Sequence, residues 1–90
     1  MLKPTFTKLF KKQFKLMEKR GLDMNKLRTA IDIIINEQLL PPERRNHMLH
    51  GEWNGALECH IQGDWVLIYE INPIANTVIF HRTGSHSDLF

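Results

Sequence analysis

The sequence predicts one α+β domain over residues 1–90: an N-terminal strand and a two-helix hairpin packed on one face of a small, twisted, mostly antiparallel sheet. Three observations predict it. Apolar residues recur at three- and four-residue spacing from Phe6 to Ile35, then alternate from Ala56 onward. Clusters of glycine, proline and asparagine separate the periodic runs. A chain this short buries only about 60–65% of its unfolded surface, so its core is modest.

Leu2 to Thr7 alternates as a short strand, and Pro4 makes it an edge strand or only partly paired. Phe6, Leu9, Phe10, Phe14 and Met17 then form a helical stripe, with Thr7 as N-cap and Gly21 as stop. Asp23 caps a second helix whose stripe is Met24, Leu27, Ala30, Ile31, Ile34 and Ile35, ended by Leu39-Leu40-Pro41-Pro42. Glu43 to Gly55 reads as a polar loop. Three strands follow. Ala56 to Gln62 points Leu57, Cys59 and Ile61 to the helices, and Ala56, Glu58, His60 and Gln62 to the opposite, open side. Gly63-Asp64 is a tight turn. Trp65 to Ile71 is apolar on both faces and therefore central. Residues 72–76 turn the chain, Thr77 to Arg82 returns as a strand, and Thr83 to Phe90 is a short polar tail.

The net charge of +2 hides an asymmetry. Residues 1–20 carry seven basic groups against Glu18 alone, while the rest of the chain holds five basic and nine acidic groups. Lys8, Lys11, Lys12 and Lys15 lie on the first helix. Such a face suits a polyanion or an acidic protein partner, and equally a solvated amphipathic helix. No apolar run approaches the ~20 residues of a membrane span. The N-terminus has no apolar core of a secretory signal, and the lone Cys59 forms no internal disulfide, so a cytoplasmic protein is expected. Cys59 alternates toward the core, where a thiol behaves as a small hydrophobe.

The five histidines, His47, His50, His60, His81 and His86, all lie in the second half. Imidazole titrates near neutrality and suits general acid–base work. Glu58 and His60 share a strand face, Asp64 follows in the turn, and Arg82 and His86 lie on or just beyond the return strand. A carboxylate, imidazoles and an arginine around one pocket supply what RNA cleavage needs: a base for the 2′-hydroxyl, a cation for the phosphoryl oxygens and an acid for the leaving 5′-oxygen. Metal binding is the chemical rival, through His47-x-x-His50 or the His60/Asp64 pair. There is no second cysteine and no His-Glu-x-x-His pattern, so no metal or other cofactor is expected.

The second half carries a recognisable pattern: His47-x-x-x-Gly51-x-Trp53, then Glu58-x-His60-x-x-x-Asp64-Trp65, then Arg82-Thr83-Gly84-Ser85-His86 ending in Leu89-Phe90. This resembles the YafQ-type toxins, a branch of the RelE-like mRNA interferases of bacterial toxin–antitoxin pairs. The resemblance covers the whole chain, by layout in the helical half and by motif in the second. It implies a RelE-like fold, ribosome-dependent cleavage of mRNA, and neutralisation by a small DinJ- or RelB-like antitoxin; the 2′-hydroxyl chemistry itself needs no metal, so metal-independent cleavage is expected. Family active-site positions fall on His47, His60, Asp64, Arg82, His86 and Phe90. Glu58 matches a carboxylate of close relatives, and Trp65 an aromatic adjoining the site. The implied roles are His86 as general acid, His60 or Asp64 as base, Arg82 on the phosphoryl charge, Phe90 stacked on a base, and His47 positioning the RNA. Lys8, Lys11, Lys12 and Lys15 would grip ribosomal RNA or dock the antitoxin. Whether Arg82 or His81 shares the face of Glu58 depends on strand register. His50 is structural or near the RNA. The rival reading is a non-catalytic ribosome- or RNA-binding relative.

Overall fold

The structure is a computed structural model that describes residues 1–53 and 55–90. Asn54, inside the expected loop, lies outside the described residues. In chain order the elements are β1 (Lys3–Phe6), α1 (Lys8–Lys19), α2 (Met24–Ile35), a 3-10 turn (Pro42–Arg44), β2 (His47–Met48), a second 3-10 turn (Gly51–Trp53), β3 (Leu57–Gln62), β4 (Trp65–Asn72), β5 (Thr77–Ser85) and α3 (His86–Leu89).

Both helices start where capping chemistry dictates. The Phe10 amide donates to Thr7 Oγ1 at 2.9 Å and the Asn25 amide to Asp23 Oδ1 at 3.1 Å, each meeting one of the orphan donors of a first turn. Beyond the α1 C-cap, Gly21 takes φ +81°, the left-handed geometry that glycine adopts without penalty. The second helix ends earlier than its sequence signal. It stops at Ile35, and Glu37 takes a left-handed φ of 58°, so the Pro41-Pro42 pair starts the 3-10 turn instead of terminating α2.

The five strands lie in the order β1-β5-β4-β3-β2. All pairs are antiparallel except β1 with β5, so the sheet is mixed. The apolar β4 is central, as its two-faced pattern predicts. One strand emerges where a loop is expected: His47 and Met48 pair with Glu58 and Leu57. The C-terminal region also departs from expectation. Strand β5 runs to Ser85, and the supposed polar tail is a helical turn closed by a capping box between Ser85 and Asp88.

Two bulges decide which side chains face where. The register slips between His60 and Gln62 on β3, and around His81 on β5. At the first, Gln62 comes opposite Trp65 and leaves the face expected for it. At the second, His81 is an extra residue, since Tyr69 pairs with Phe80 and Ile68 with Arg82. A bulge lets two adjacent residues point the same way. His81 and Arg82 thus both reach the open face, while Phe80 and Thr83 stay in the helix-side core.

That main core joins Phe10, Met17, Leu27 and Ile34 of the helices to Leu57, Cys59, Ile61, Trp65, Leu67, Tyr69 and Phe80 of the sheet. Phe6 stacks on Phe80 at 5.1 Å between centroids, fixing β1 against β5. Burial pushes the Cys59 thiol up to about 12, so it stays a neutral hydrophobe. On the open face, a smaller cluster joins Ala56, Val66, Ile68 and Leu89 with Leu49 and Trp53. No described helix is long and apolar enough to cross a membrane.

Thr83 ties the two layers together. Its hydroxyl donates to Val66 O and accepts from Trp65 Nε1, both at 2.9 Å, and its amide donates to Gln13 Oε1 of α1 at 3.1 Å. Thr83→Val keeps the shape but strands the indole N–H in the core. The expected cost is about 1–3 kcal/mol in urea unfolding, the penalty for an unsatisfied buried donor.

Candidate active site

Register assembles the site. His47 on β2, Glu58 on β3, Ile68 on β4 and Arg82 on β5 are successive cross-strand partners, forming one row across the open face. His60, Val66 and Gly84 form the next row. Gly84 matters for what it lacks. A Cβ there would meet Asp88 Oδ2 at 3.0 Å and Asp88 Cβ at 3.1 Å, so a larger residue would push Asp88 away where α3 folds back. Leu89 then packs on Val66 and Ile68, and α3 carries His86 over the sheet.

The centre of the site is the carboxylate of Glu58, which is 3% exposed. The Nε2 atoms of His86, His47 and His60 stand 3.2, 3.6 and 3.6 Å from one oxygen, Glu58 Oε1. For two of the rings the other nitrogen is committed. His47 Nδ1 lies 2.6 Å from Arg45 O and His60 Nδ1 lies 3.1 Å from Gly63 O. A carbonyl only accepts, so both Nδ1 atoms carry the proton. Their Nε2 atoms are then either bare or protonated as imidazolium. Bare nitrogens around a carboxylate oxygen repel it, so the cluster needs at least one shared proton or a cation.

Each ring is held from a different direction. The Tyr69 hydroxyl donates to Asn46 Oδ1 at 2.5 Å and pins the residue before His47 to the core. Burial raises the Tyr69 phenol, which keeps it a donor. The β3–β4 turn, with Gly63 at φ +57°, presents the carbonyl that orients His60. The His86 amide donates to Asp64 O at 3.2 Å. The α3 turn is clasped from α1: Arg20 Nη1 and Nη2 donate to the two oxygens of Asp88 at 2.8 and 3.1 Å. Asp88 also accepts from the Ser85 amide at 2.8 Å. Bonds from Arg20, then from Ser85, hold the Asp88 carboxyl well below the usual carboxylate range, and the same pair raises Arg20.

Of the residues singled out in the sequence, His47, Glu58, His60 and His86 come together, and the exposed Phe90 ring lies 5.7 Å from that of His86. Arg82 shares the row. Its guanidinium lies 5.8 Å from the Trp53 ring centre, and its Nε is buried without a partner among the described residues. Asp64 does not join. It contributes its carbonyl to His86, while the residue lines a cleft with Met17, Arg20 and Trp65 on the helix side. Trp65 is likewise a correction: it is buried in the helix-side core and bonded to Thr83, so no base can stack on it there. Lys8, Lys11, Lys12 and Lys15 are exposed on α1, across the sheet from the cluster. His81 pairs with Glu70 at 3.0 Å, and His50 is exposed. The sequence reading missed Arg20, Asn46 and Asp88 as supports. The Ser85-x-x-Asp88 spacing was a usable signal for the last. It also missed which groups offer metal-binding geometry: one ligand atom each from Glu58, His60 and His86 lie within 4.8 Å of one another.

A helix pair on one face of a small mixed sheet, with a histidine–carboxylate cluster on the other, makes this a small α+β protein with a candidate acid–base site. A family model described as the bacterial toxin of type II toxin–antitoxin systems, YafQ, matches residues 2–90, and the chain belongs to that family. It is 40% identical over 82 residues to the mRNA interferase toxin YafQ of Escherichia coli K12, covering 90% of this chain and 87% of that one. The Escherichia coli DinJ–YafQ complex contains a chain of similar structure, with TM-score 0.92 and 35% identity over 100% of this chain and 99% of that one. A metal-bound toxin from Helicobacter pylori matches with TM-score 0.93 and 37% identity, covering 100% of both chains.

The Arg20–Asp88 clasp has a pH signature. A carboxyl whose folded pKa lies below its unfolded value stabilises the fold above that unfolded value, about 4, and the contribution fades as pH falls toward the folded pKa. Asp88→Asn is therefore expected to melt below wild type at about pH 7, with the two converging below about pH 4. The arginine side chain is 43% exposed, so the gap shrinks in high salt. A gap independent of both pH and salt would show that the clasp is not ionic.

Proposed function

We propose that the protein is the toxin of a type II toxin–antitoxin pair and an endoribonuclease that cuts mRNA on the ribosome without a metal. The observation that carries this is the convergence of three imidazole Nε2 atoms on the buried Glu58 carboxylate. Family membership supports the RNA substrate, since the Escherichia coli relative is named an mRNA interferase. The partner is a small antitoxin, as in the DinJ–YafQ complex.

In this reading His60 Nε2 takes the proton of the 2′-hydroxyl, whose oxygen attacks the adjacent phosphorus. The bond from phosphorus to the 5′-oxygen breaks, and His86 Nε2 gives that oxygen its proton. The products are a 2′,3′-cyclic phosphate and a 5′-hydroxyl. Glu58 stabilises whichever ring is charged, so the two histidines exchange roles at little electrostatic cost. His60 is favoured over Asp64 as base, because its nitrogen faces the cluster while Asp64 lines the helix-side cleft. Arg82 balances the phosphoryl charge, His47 positions the phosphate, and the exposed Phe90 offers its ring to a base.

Mapping of mRNA ends after induction tests the reading. Cuts with 2′,3′-cyclic phosphate ends are expected with wild type. His86→Ala should slow cleavage by about 10²–10⁴-fold, the usual loss for a general acid. Growth arrest without any cleavage would favour a non-catalytic ribosome-binding relative.

A second reading has its own observation: the grouping of Glu58, His60 and His86 suits a divalent cation, and a Helicobacter pylori relative is metal-bound. A cation there would occupy the nitrogens needed for proton transfer. Cleavage by purified toxin on programmed ribosomes is expected to survive a chelator selective for zinc and copper, with magnesium held constant. Loss of activity, restored by the metal, would establish metal-dependent hydrolysis instead.

A further inference from the structure

A cleft of about 470 Å³ opens beside His60, lined by Glu43, Arg44, Arg45, Ile61, Gln62 and Gly63. Its charge is lopsided, with two guanidinium groups against one carboxylate. Neither arginine takes part in any ion pair among the described residues.

The two arginines are held differently. Arg44 is half-buried, and its Nη1 donates to Ile61 O at 2.5 Å. That bond fixes the guanidinium against the end of β3. Its Nε is buried without a hydrogen-bond partner among the described residues. Arg45 is exposed, and its backbone takes a left-handed φ of 48°. Non-glycine residues rarely accept that conformation, and it persists where surroundings enforce it. Here the Arg45 amide donates to Pro42 O at 3.1 Å, while its carbonyl accepts from His47 Nδ1. The residue that orients one ring of the cluster therefore also lines, with another, a cleft in which its guanidinium forms no ion pair among the described residues.

His60 is the hinge between cleft and cluster. Its Nε2 faces Glu58, and the residue also forms one wall of the cleft. An RNA strand whose reacting linkage sits over Glu58 must run past one side of His60 as it leaves. Its next phosphates are anions with oxygens spaced for a guanidinium fork. We propose that Arg45, backed by Arg44, forms a subsite for a backbone phosphate of the mRNA one or two nucleotides from the cut. This rests on the endoribonuclease reading.

The test uses the intact toxin and programmed ribosomes carrying a short mRNA. Uncharged methylphosphonate linkages are placed singly at the first and second positions on either side of the cut. The variant is Arg45→Asn, since asparagine tolerates the left-handed backbone and removes the charge. At one position the neutral linkage is expected to lower wild-type kcat/KM about tenfold, the loss of a charge-assisted hydrogen bond. Arg45→Asn on the all-phosphate mRNA should lose a similar factor, with an unchanged urea midpoint. Combined at that position, the two changes should cost no more than either alone. Multiplicative losses at all four positions, with wild type still cutting, would overturn the subsite and leave the proposed function standing. Absence of wild-type cleavage would bring down both.

Discussion

Glu58 is a carboxylate set into the floor of a sheet, with almost none of its surface in water. Burying such a group alone is prohibitive, and it is tolerated where positive or proton-bearing partners surround it. Here the partners are three imidazoles, and none comes from its immediate sequence neighbourhood except His60. His47 arrives from β2 and His86 from α3. The carboxylate thus obliges three separate segments to be anchored so that their ring nitrogens stand within 3.6 Å of one oxygen, His86 at hydrogen-bond distance. The Tyr69–Asn46 bond, the Gly63 carbonyl and the Arg20–Asp88 clasp are those anchors.

The sheet divides its labour by face. Cys59 sits between Glu58 and His60 in sequence, yet it points into the helix-side core with its thiol pushed up to about 12. Adjacent residues on one strand thereby face opposite sides of the sheet, the thiol among apolar side chains and the carboxylate among imidazoles. The two bulges modify the alternation at the rims. The one at His81 puts two consecutive polar residues on the open face, and Arg82 stands in line with Glu58 because of it. The small apolar cluster of Val66, Ile68 and Leu89 seats α3, so His86 is carried on packed side chains and not on a free tail.

How much of this the sequence carries follows from the range of each signal. The helix caps at Thr7 and Asp23, the central β4 and the inward side of β3 depend on local periodicity, and all are legible. Glu58 with His60 is legible for the same reason, being two residues apart on one strand. The pairing of His47 with Glu58 is not, because a two-residue strand leaves no periodic trace. Trp65 and Asp64 mislead in opposite ways. The first is adjacent to the site in sequence but on the wrong face, and the second contributes its backbone in place of its carboxylate. Bulge positions are set by tertiary pairing, so His81 and Arg82 could not be separated beforehand. The Arg20–Asp88 contact spans 68 residues and has no local signature.

Charge shows most clearly why bulk numbers mislead at this scale. By composition the first twenty residues are the polyanion-binding part and the remainder is net acidic. The structure redistributes that balance. Arg20 leaves the basic face to hold Asp88, and the lysines of α1 lie across the sheet from the histidines. In the acidic half, Glu58 is enclosed by imidazoles, Glu70 faces His81 and Asp88 faces Arg20. What remains beside the cluster among the described residues is Arg44, Arg45 and Arg82 against the carboxylate of Glu43, none of them in an ion pair. A segment that is acidic on paper therefore presents more guanidinium groups than unpaired carboxylates beside the histidine cluster, among the described residues. Electrostatic complementarity to a partner is set by which charges the fold has already neutralised, not by their sum.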